Sequence, residues 1–395
     1  MTRIDAQRHG AQAVSSAGPR ATRTVVLAAL LSALSLPAPA TPPAIPLDGF
    51  DDAVHHWQNV HGRDYPRYAP DQIREIADNL LRYQRADGGW PVNHDPLRIL
   101  DAAEHAQLAQ EQAQRGGSFD NRNVYTQVDY LAAAFARTGD TRYRDAARRG
   151  LDFILAQQIG RCGGWPHSVP ARESYHPLIT FADDVTSGVL ATLRRAMVGD
   201  GDFAFLGADA RTRIAAAVQR GDECILALQV CQDGVLAGWA GQYDPASLQP
   251  AHGRSFELPS QATQETVGLL RYLMSIPAPS PQVRAAIDGG VAWLRKVQLH
   301  GMRLETFAAP VQQYRYHSSH EDNRLVADAA APPLWARFYD VRDNSVVLAT
   351  REGRRVDDYT QIPRERRTGY RWYGDWPQAL LQHEYPRWQA AQRAH

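Results

Sequence analysis

Between 71 and 85 the chain reads Asp-Gln-Ile-Arg-Glu-Ile-Ala-Asp-Asn-Leu-Leu-Arg-Tyr-Gln-Arg. Ile73, Ile76, Ala77, Leu80 and Leu81 recur at three- and four-residue spacing, which is the apolar stripe of an amphipathic helix, and Pro70-Asp71 is a start signal. The same period marks 123–137 and 142–158, joined at Thr138-Gly139-Asp140. It returns at 183–197 with 210–229, at 261–274 with 281–299, and in a last segment, 377–394. Strand-like stretches are short, confined to Gly-rich turns and to 345–348. The pattern predicts helical hairpins with strands only in the loops.

These hairpins repeat. Gly-Gly-Trp-Pro occurs at 88–91 and again at 163–166, each time after a helical run carrying a glutamine, Gln84 or Gln157. A third copy runs from Gln229 to Gly238-Trp239, and a faint fourth from Gln298 to Gly301-Met302. Trp90, Trp165 and Trp239 lie 75 and 74 residues apart, and the glutamines 73, 72 and 69 apart. A fixed period of this size marks one supersecondary unit that buries its open face against the next copy. The fold class is all-α, an α/α toroid whose long loops gather at one end, where chemistry is expected. The tryptophans are either core plugs beneath each turn or platforms for sugar stacking, with Trp165 as the candidate for the second role.

Composition adds an address. Arg20 and Arg23 precede an apolar run from Val25 to Leu36 and then Pro37-Ala38-Pro39-Ala40, which together read as a secretory signal over 1–40. That run is too short to span a bilayer. Residues 41–47 read as a Pro-rich linker and 48–395 as the domain, exported to the periplasm or beyond and monomeric. Formal net charge is +0, so there is no global case for nucleic acid or for an anionic membrane. Lys296 is the only lysine, so any arginine cluster has to be argued from position. An oxidising compartment permits one disulfide among Cys162, Cys224 and Cys231. Cys224 and Cys231 read as two turns apart on one helix, about 10.5 Å along its axis and too far to bridge. Cys162 can pair with either of them, or all three remain buried thiols, which is the expectation.

Chemistry is concentrated at helix starts. Asp120-Asn121-Arg122 precedes one hairpin, and Ala182-Asp183-Asp184 stands in the same place one unit later. Neighbouring carboxylates repel unless a cation offsets them, and calcium accepts a loose shell of carboxylate, amide and water oxygens. Asp120, Asn121, Asp183 and Asp184 are therefore the candidate metal ligands, from two neighbouring hairpins. The C-terminal third carries arginines among aromatics, in Leu334-Trp-Ala-Arg-Phe-Tyr339, Thr350-Arg-Glu-Gly353 and Arg366-Arg-Thr-Gly-Tyr-Arg-Trp-Tyr-Gly374. A guanidinium fork grips a carboxylate with two hydrogen bonds, so these suit a polymer of sugar acids better than a nucleic acid.

The run from Ile76 to Asn93, together with Asp120-Asn121, Gly163 to Pro166, Ile179 to Asp184, Leu334 to Tyr339 and Arg366 to Gly374, resembles the pectate lyases of polysaccharide lyase family ten, from about Asp48 to the C-terminus. The resemblance implies an (α/α)3 toroid that cleaves α-1,4-linked polygalacturonate by calcium-dependent anti-β-elimination, releasing unsaturated oligogalacturonides. Carried over, it makes Asp120 and Asn121 calcium ligands, Asp183 or Asp184 the second calcium acid, and Arg351 the base that removes the C5 proton. Arg254, Arg337 and Arg366 then line the substrate groove. Ala182 stands where the family has Asn before the paired aspartates, and Arg351-Glu352-Gly353 where it has Arg-Asp-Gly. Two rival readings are a degenerate, lyase-like pectin-binding protein and an α/α-barrel terpenoid cyclase, whose repeats also pair glutamine with Gly-x-Trp. The cyclase lacks its Asp-rich acid motif here.

Overall fold

The computed structural model describes residues 43–393 except 200 and 316, so the segment over 1–40 that the sequence reads as a secretory signal lies outside the described residues. Eleven α-helices are described: α1 Asp51–His61, α2 Ile73–Tyr83, α3 Ala102–Glu111, α4 Tyr125–Thr138, α5 Thr141–Ala156, α6 Val185–Val198, α7 Ala208–Ala227, α8 Thr263–Met274, α9 Pro281–Lys296, α10 Arg364–Gly369 and α11 Tyr385–Arg393. The predicted hairpins are present as α4 on α5, α6 on α7 and α8 on α9. Contacts also join α2 to α4, α4 to α6 and α6 to α8 in sequence. That places α4 between neighbours on several sides, which is why Tyr125, Val128 and Tyr130 to Ala134 are all buried. Its partner α5 buries a single stripe, Tyr143, Ala146, Ala147, Leu151 and Ile154, and shows arginines to solvent. Among the described residues no helix is long and apolar enough to cross a membrane.

Two features of the repeat acquire a physical cause. The indole N–H groups of Trp90, Trp165, Trp239 and Trp335 donate to Leu80 O, Ile154 O, Ile225 O and Leu294 O, each at 2.8 Å. Each ring therefore plugs its turn and donates to a carbonyl in the last turn of a helix. The amides of Gln84, Gln158 and Gln229 each bridge the turn to the carbonyl of Ala146 on α5, Ala217 on α7 or Ala286 on α9. The second repeat glutamine is thus Gln158; Gln157 only caps α5. The fourth tryptophan is Trp335 rather than the Gly301-Met302 position, because a long antiparallel hairpin, Met302–Gln313 with Ser318–Ala327, is inserted ahead of it. This hairpin corrects the expectation that strands are short throughout.

The remaining strands fit that expectation and stitch successive loops together. Gly117–Ser118 pairs with Ser168–Val169, Ile179–Thr180 with Gln242–Tyr243, Gln261–Ala262 with Phe338–Tyr339, and Trp335–Ala336 with Tyr373–Gly374. Two further expectations are corrected. Cys162 and Cys224 form a disulfide, so they are not buried thiols. Cys231 is exposed and sits on a short strand, because α7 ends at Ala227. Within 43–47, Ile45 is buried and Leu47 packs on the core.

Candidate active site

Two short 3-10 turns, Asp120–Arg122 and Ala182–Asp184, sit at equivalent places ahead of α4 and α6 and pack against each other. Each follows a buried phenylalanine, Phe119 or Phe181. Each also turns on a left-handed residue, Asn121 at φ 52° and Asp183 at φ 51°. Asn and Asp tolerate that region because their side chains hydrogen-bond locally. The repeat therefore delivers Asp120 and Asp183 to one groove from consecutive hairpins. The groove encloses about 1750 Å³ and is lined by Asp120, Asn121, Asp183, Arg254, Arg337, Arg351 and Arg366. Seven of the nine candidate residues are brought together.

Two are not. Asp184 turns to a neighbouring cavity of about 700 Å³, where Ser187 Oγ donates to it at 3.4 Å. Trp165 is fully buried, so it cannot offer a face to a sugar. Its assignment to substrate stacking is corrected to that of a turn plug.

Asp120 Oδ1 accepts the Asn121 backbone N–H at 3.0 Å and lies 3.5 Å from His167 Nε2. Burial would raise its carboxyl, but the His167 contact holds it below the usual carboxylate range. Asp183 moves the other way. Burial, then the charge on Asp120, push it well above that range, against Arg254 and Arg337. Two carboxylates that share a partly closed space and differ in this way form a pair that a cation would relieve.

The arginines surround an aromatic floor. Arg254 and Arg337 lie over the Tyr370 ring at 5.6 and 4.9 Å, and Arg351 and Arg366 over Phe256 at 5.8 and 4.8 Å. Phe256 and Tyr370 meet edge to face at 4.9 Å. Behind every guanidinium stands a glutamate that the sequence reading missed. Glu257 accepts from Arg254 Nη2 at 2.6 Å and from Tyr370 OH at 2.7 Å. Glu265 accepts from Arg337 at 2.6 Å in a buried pair. Glu365 accepts from both Arg351 and Arg366. Although burial opposes it, these partners hold the Glu257 and Glu365 carboxyls down at about 2. The available signal was adjacency: Glu257 follows Arg254 by three residues, and Glu365 precedes Arg366 by one.

The site can grip several carboxylates along an extended chain while keeping two acids turned toward it. Its lining suits an anionic polymer. No curated protein matches the chain. Among solved structures it is similar to a mutant of the family 10 polysaccharide lyase from Cellvibrio cellulosa in complex with trigalacturonic acid. That match has 28% identity and a TM-score of 0.68, covering 87% of this chain and 99% of that one. It is also similar to the family 10 polysaccharide lyase from Cellvibrio cellulosa, with 28% identity, a TM-score of 0.66 and coverage of 87% and 98%. The profile of the Pectic acid lyase family matches residues 84–381, so the chain belongs to that family and is a polysaccharide lyase of the family ten type.

Proposed function

We propose that this lyase cleaves polygalacturonate by calcium-dependent anti-β-elimination, on an (α/α)3 toroid closed by its helical hairpins. The observation that carries the reading is the charge of the groove's centre. Arg254, Arg337, Arg351 and Arg366 are four cations, whereas Glu257, Glu265, Glu365, Asp120 and Asp183 are five carboxylates. With Asp183 ionised that centre carries a net charge near −1, from which an anionic polymer gains little, and one divalent ion reverses the sign. Asp120, Asp183 and Asn121 are hard oxygen donors of the kind calcium takes. Among the described residues, three acidic, His or Cys groups do not converge on one point. The remaining ligands would therefore come from water and from the substrate's own carboxylate.

When bound, calcium supplies neutralisation of the uronate carboxylate, which acidifies the adjacent C5 proton. The residues supply the rest. Arg254 and Arg337, fixed by Glu257 and Glu265, hold uronate carboxylates along the groove. Arg351 faces the groove and, in its uncharged guanidine form, takes the C5 proton and becomes a guanidinium. The C5–H electron pair becomes the C4–C5 double bond, the C4–O4 bond breaks, and O4 of the departing sugar takes up a proton. Guanidiniums already aimed at the carboxylate stabilise charge as it develops and need no reorganisation. Disulfide-bonded Cys162 and Cys224 favour an oxidising compartment, which supports export.

The test follows ultraviolet absorbance of the unsaturated product on polygalacturonate, with and without a chelator. Absorbance that grows with calcium and stops with chelator is expected. Growth indifferent to chelator would overturn the calcium assignment.

A further inference from the structure

Elimination needs two proton transfers, and only the acceptor of the C5 proton has been named. The oxygen of the broken bond departs readily only if a proton reaches it as the C4–O bond opens. Most groove groups that carry a transferable proton are already spent. Tyr370 OH donates to Glu257 at 2.7 Å, Thr368 Oγ1 to Arg364 O at 2.9 Å, and Ser255 Oγ to Arg351 O. Tyr359 and Tyr373 are buried against each other, with ring centroids 5.3 Å apart. Although burial opposes it, Glu257 holds the Arg254 guanidinium well above its ordinary range, so that group keeps its proton. His55, His56 and His252 line the groove as exposed side chains and take no part in its inner recess.

Tyr175 is placed differently. It lies in the turn between the second Gly-Gly-Trp-Pro and the strand Ile179–Thr180, and its backbone is pinned there. Its carbonyl accepts from the Leu178 N–H at 3.2 Å and from Gln242 Nε2 at 3.4 Å. The next carbonyl, His176 O, accepts from the His167 N–H at 2.9 Å. The phenol ring stands edge to face against His167 at 5.1 Å and His176 at 4.7 Å. Because His167 Nε2 is 3.5 Å from Asp120, Tyr175 is one side chain removed from the acidic pair. With Asp120, Asp183, His167 and Arg254 it lines a recess of about 50 Å³ in the groove wall. The ring is half-buried, and among the described residues its hydroxyl has no hydrogen-bond partner and is not enclosed by protein.

We propose that Tyr175 is the catalytic acid of the elimination, giving its phenolic proton to the glycosidic oxygen as the C4–O bond breaks. This rests on the pectate lyase reading given above. Arg351 gains the C5 proton, the C5–H pair becomes the C4–C5 double bond, and the C4–O pair goes to the departing oxygen. That oxygen takes the Tyr175 proton. The phenolate left behind is reprotonated by water, and Arg351 returns its proton to water, so each turnover balances. Burial raises the phenol above the ordinary tyrosine value, which keeps it protonated until the oxygen needs it, and the positive charge of Arg254 acts against that rise and favours the phenolate. Asp120, Glu257 and Glu173 are the acids whose charge also reaches the phenol, and they favour its protonated form. An anti elimination asks for acid and base on opposite faces of the sugar. Arg351 comes from the loop 350–353 backed by Glu365 of α10, whereas Tyr175 comes from the loop of the second repeat.

The experiment compares wild-type enzyme with Tyr175→Phe, at saturating calcium, on two substrates. One is polygalacturonate; the other is an oligogalacturonide whose leaving sugar is replaced by 4-nitrophenol, which departs without a proton. On polygalacturonate, kcat of the variant falls on the order of a hundredfold while KM stays at the wild-type value. On the nitrophenyl substrate, variant and wild type agree within about twofold, because no acid is needed there. Calcium raises the melting temperature of the variant as it does that of the wild type. A loss on polygalacturonate no greater than the loss on the nitrophenyl substrate overturns the proposal, as does a change confined to KM. Should Tyr175→Phe not fold, replacement of Tyr175 by 3-fluorotyrosine decides, since it keeps the ring and makes the hydroxyl more acidic. The polygalacturonate rate then changes and the nitrophenyl rate does not; an unchanged polygalacturonate rate overturns the proposal. Failure of the lyase reading shows separately, as wild-type enzyme that forms no calcium-dependent product from polygalacturonate.

Discussion

Trp165 and Arg337 show how far a residue's chemical type is from its role. Both were candidates for touching substrate, and the sequence offered each an aromatic or cationic rationale. Trp165 is spent on a carbonyl at the end of α5, whereas Arg337 reaches the groove from a buried pair with Glu265 and lies 4.0 Å from Asp183. What separates them is whether the side chain leaves its turn toward the core or toward the groove, and sequence spacing does not specify that. The difference is measurable. Trp165→Phe keeps most of the apolar volume but removes the indole donor from Ile154 O, which retains only the longer 3.3 Å bond from the Gln157 backbone N–H, so the variant should lose about 1 kcal/mol in denaturant unfolding. KM for polygalacturonate should stay at the wild-type value. A raised KM with unchanged stability would return Trp165 to the groove.

At the scale of elements, whatever carried an apolar stripe was legible. The helices of the repeat fall within three residues of their predicted bounds, with α2 at Ile73–Tyr83 and α9 ending at Lys296 as examples of slightly overlong readings. Elements without such a stripe were missed. α1 buries only Ala53 and α3 only Leu108. The inserted hairpin is exposed along most of both faces and carries Pro310, so no two-residue alternation marks it. The repeat signature itself has a steric cause at its first glycine. Gly88 has φ +94°, and a Cβ there would meet Arg149 O at 2.2 Å; Gly163 has φ +113°, and its Cβ would meet Arg220 O at 2.4 Å. In both turns the obstacle is the backbone of a helix packed against the turn, α5 or α7, which cannot yield as a side chain would. Gly163→Ala should therefore destabilise by at least about 2 kcal/mol, more than the strain of a positive φ alone would account for. Gly139→Ala is the control, because Gly139 has φ +69° with nothing within 4 Å of its Cβ. Equal losses at the two positions would show that conformation, not close approach, explains the motif.

For the molecule as a whole, the sequence reached the site because the repeat places Asp120 and Asp183 on equivalent turns, and it stopped short because the glutamates behind the arginines belong to no repeat. Those glutamates decide the molecule's response to pH. Glu257 and Glu365 have depressed carboxyls, so their stabilisation is present above about pH 4.5 and is lost as pH falls toward about 2. Asp183 works in the opposite sense. Its carboxyl is raised in the fold by burial and by Asp120, so its favourable contribution is complete below the unfolded value and fades as pH rises toward neutrality. The metal-free protein should then be most stable in mildly acid solution, between those two losses. A cation held by Asp120 and Asp183 removes the second loss and leaves the first, because it favours the ionised form of Asp183. Calcium should consequently raise the melting temperature more at about pH 8 than at about pH 5. Asp183→Asn, which retains shape but does not titrate, should flatten that difference while lowering the shift itself. A calcium-induced shift of the same size at both pH values in the wild-type protein would place the ion away from Asp183. The four arginines would then have to bind the polymer across a negatively charged centre.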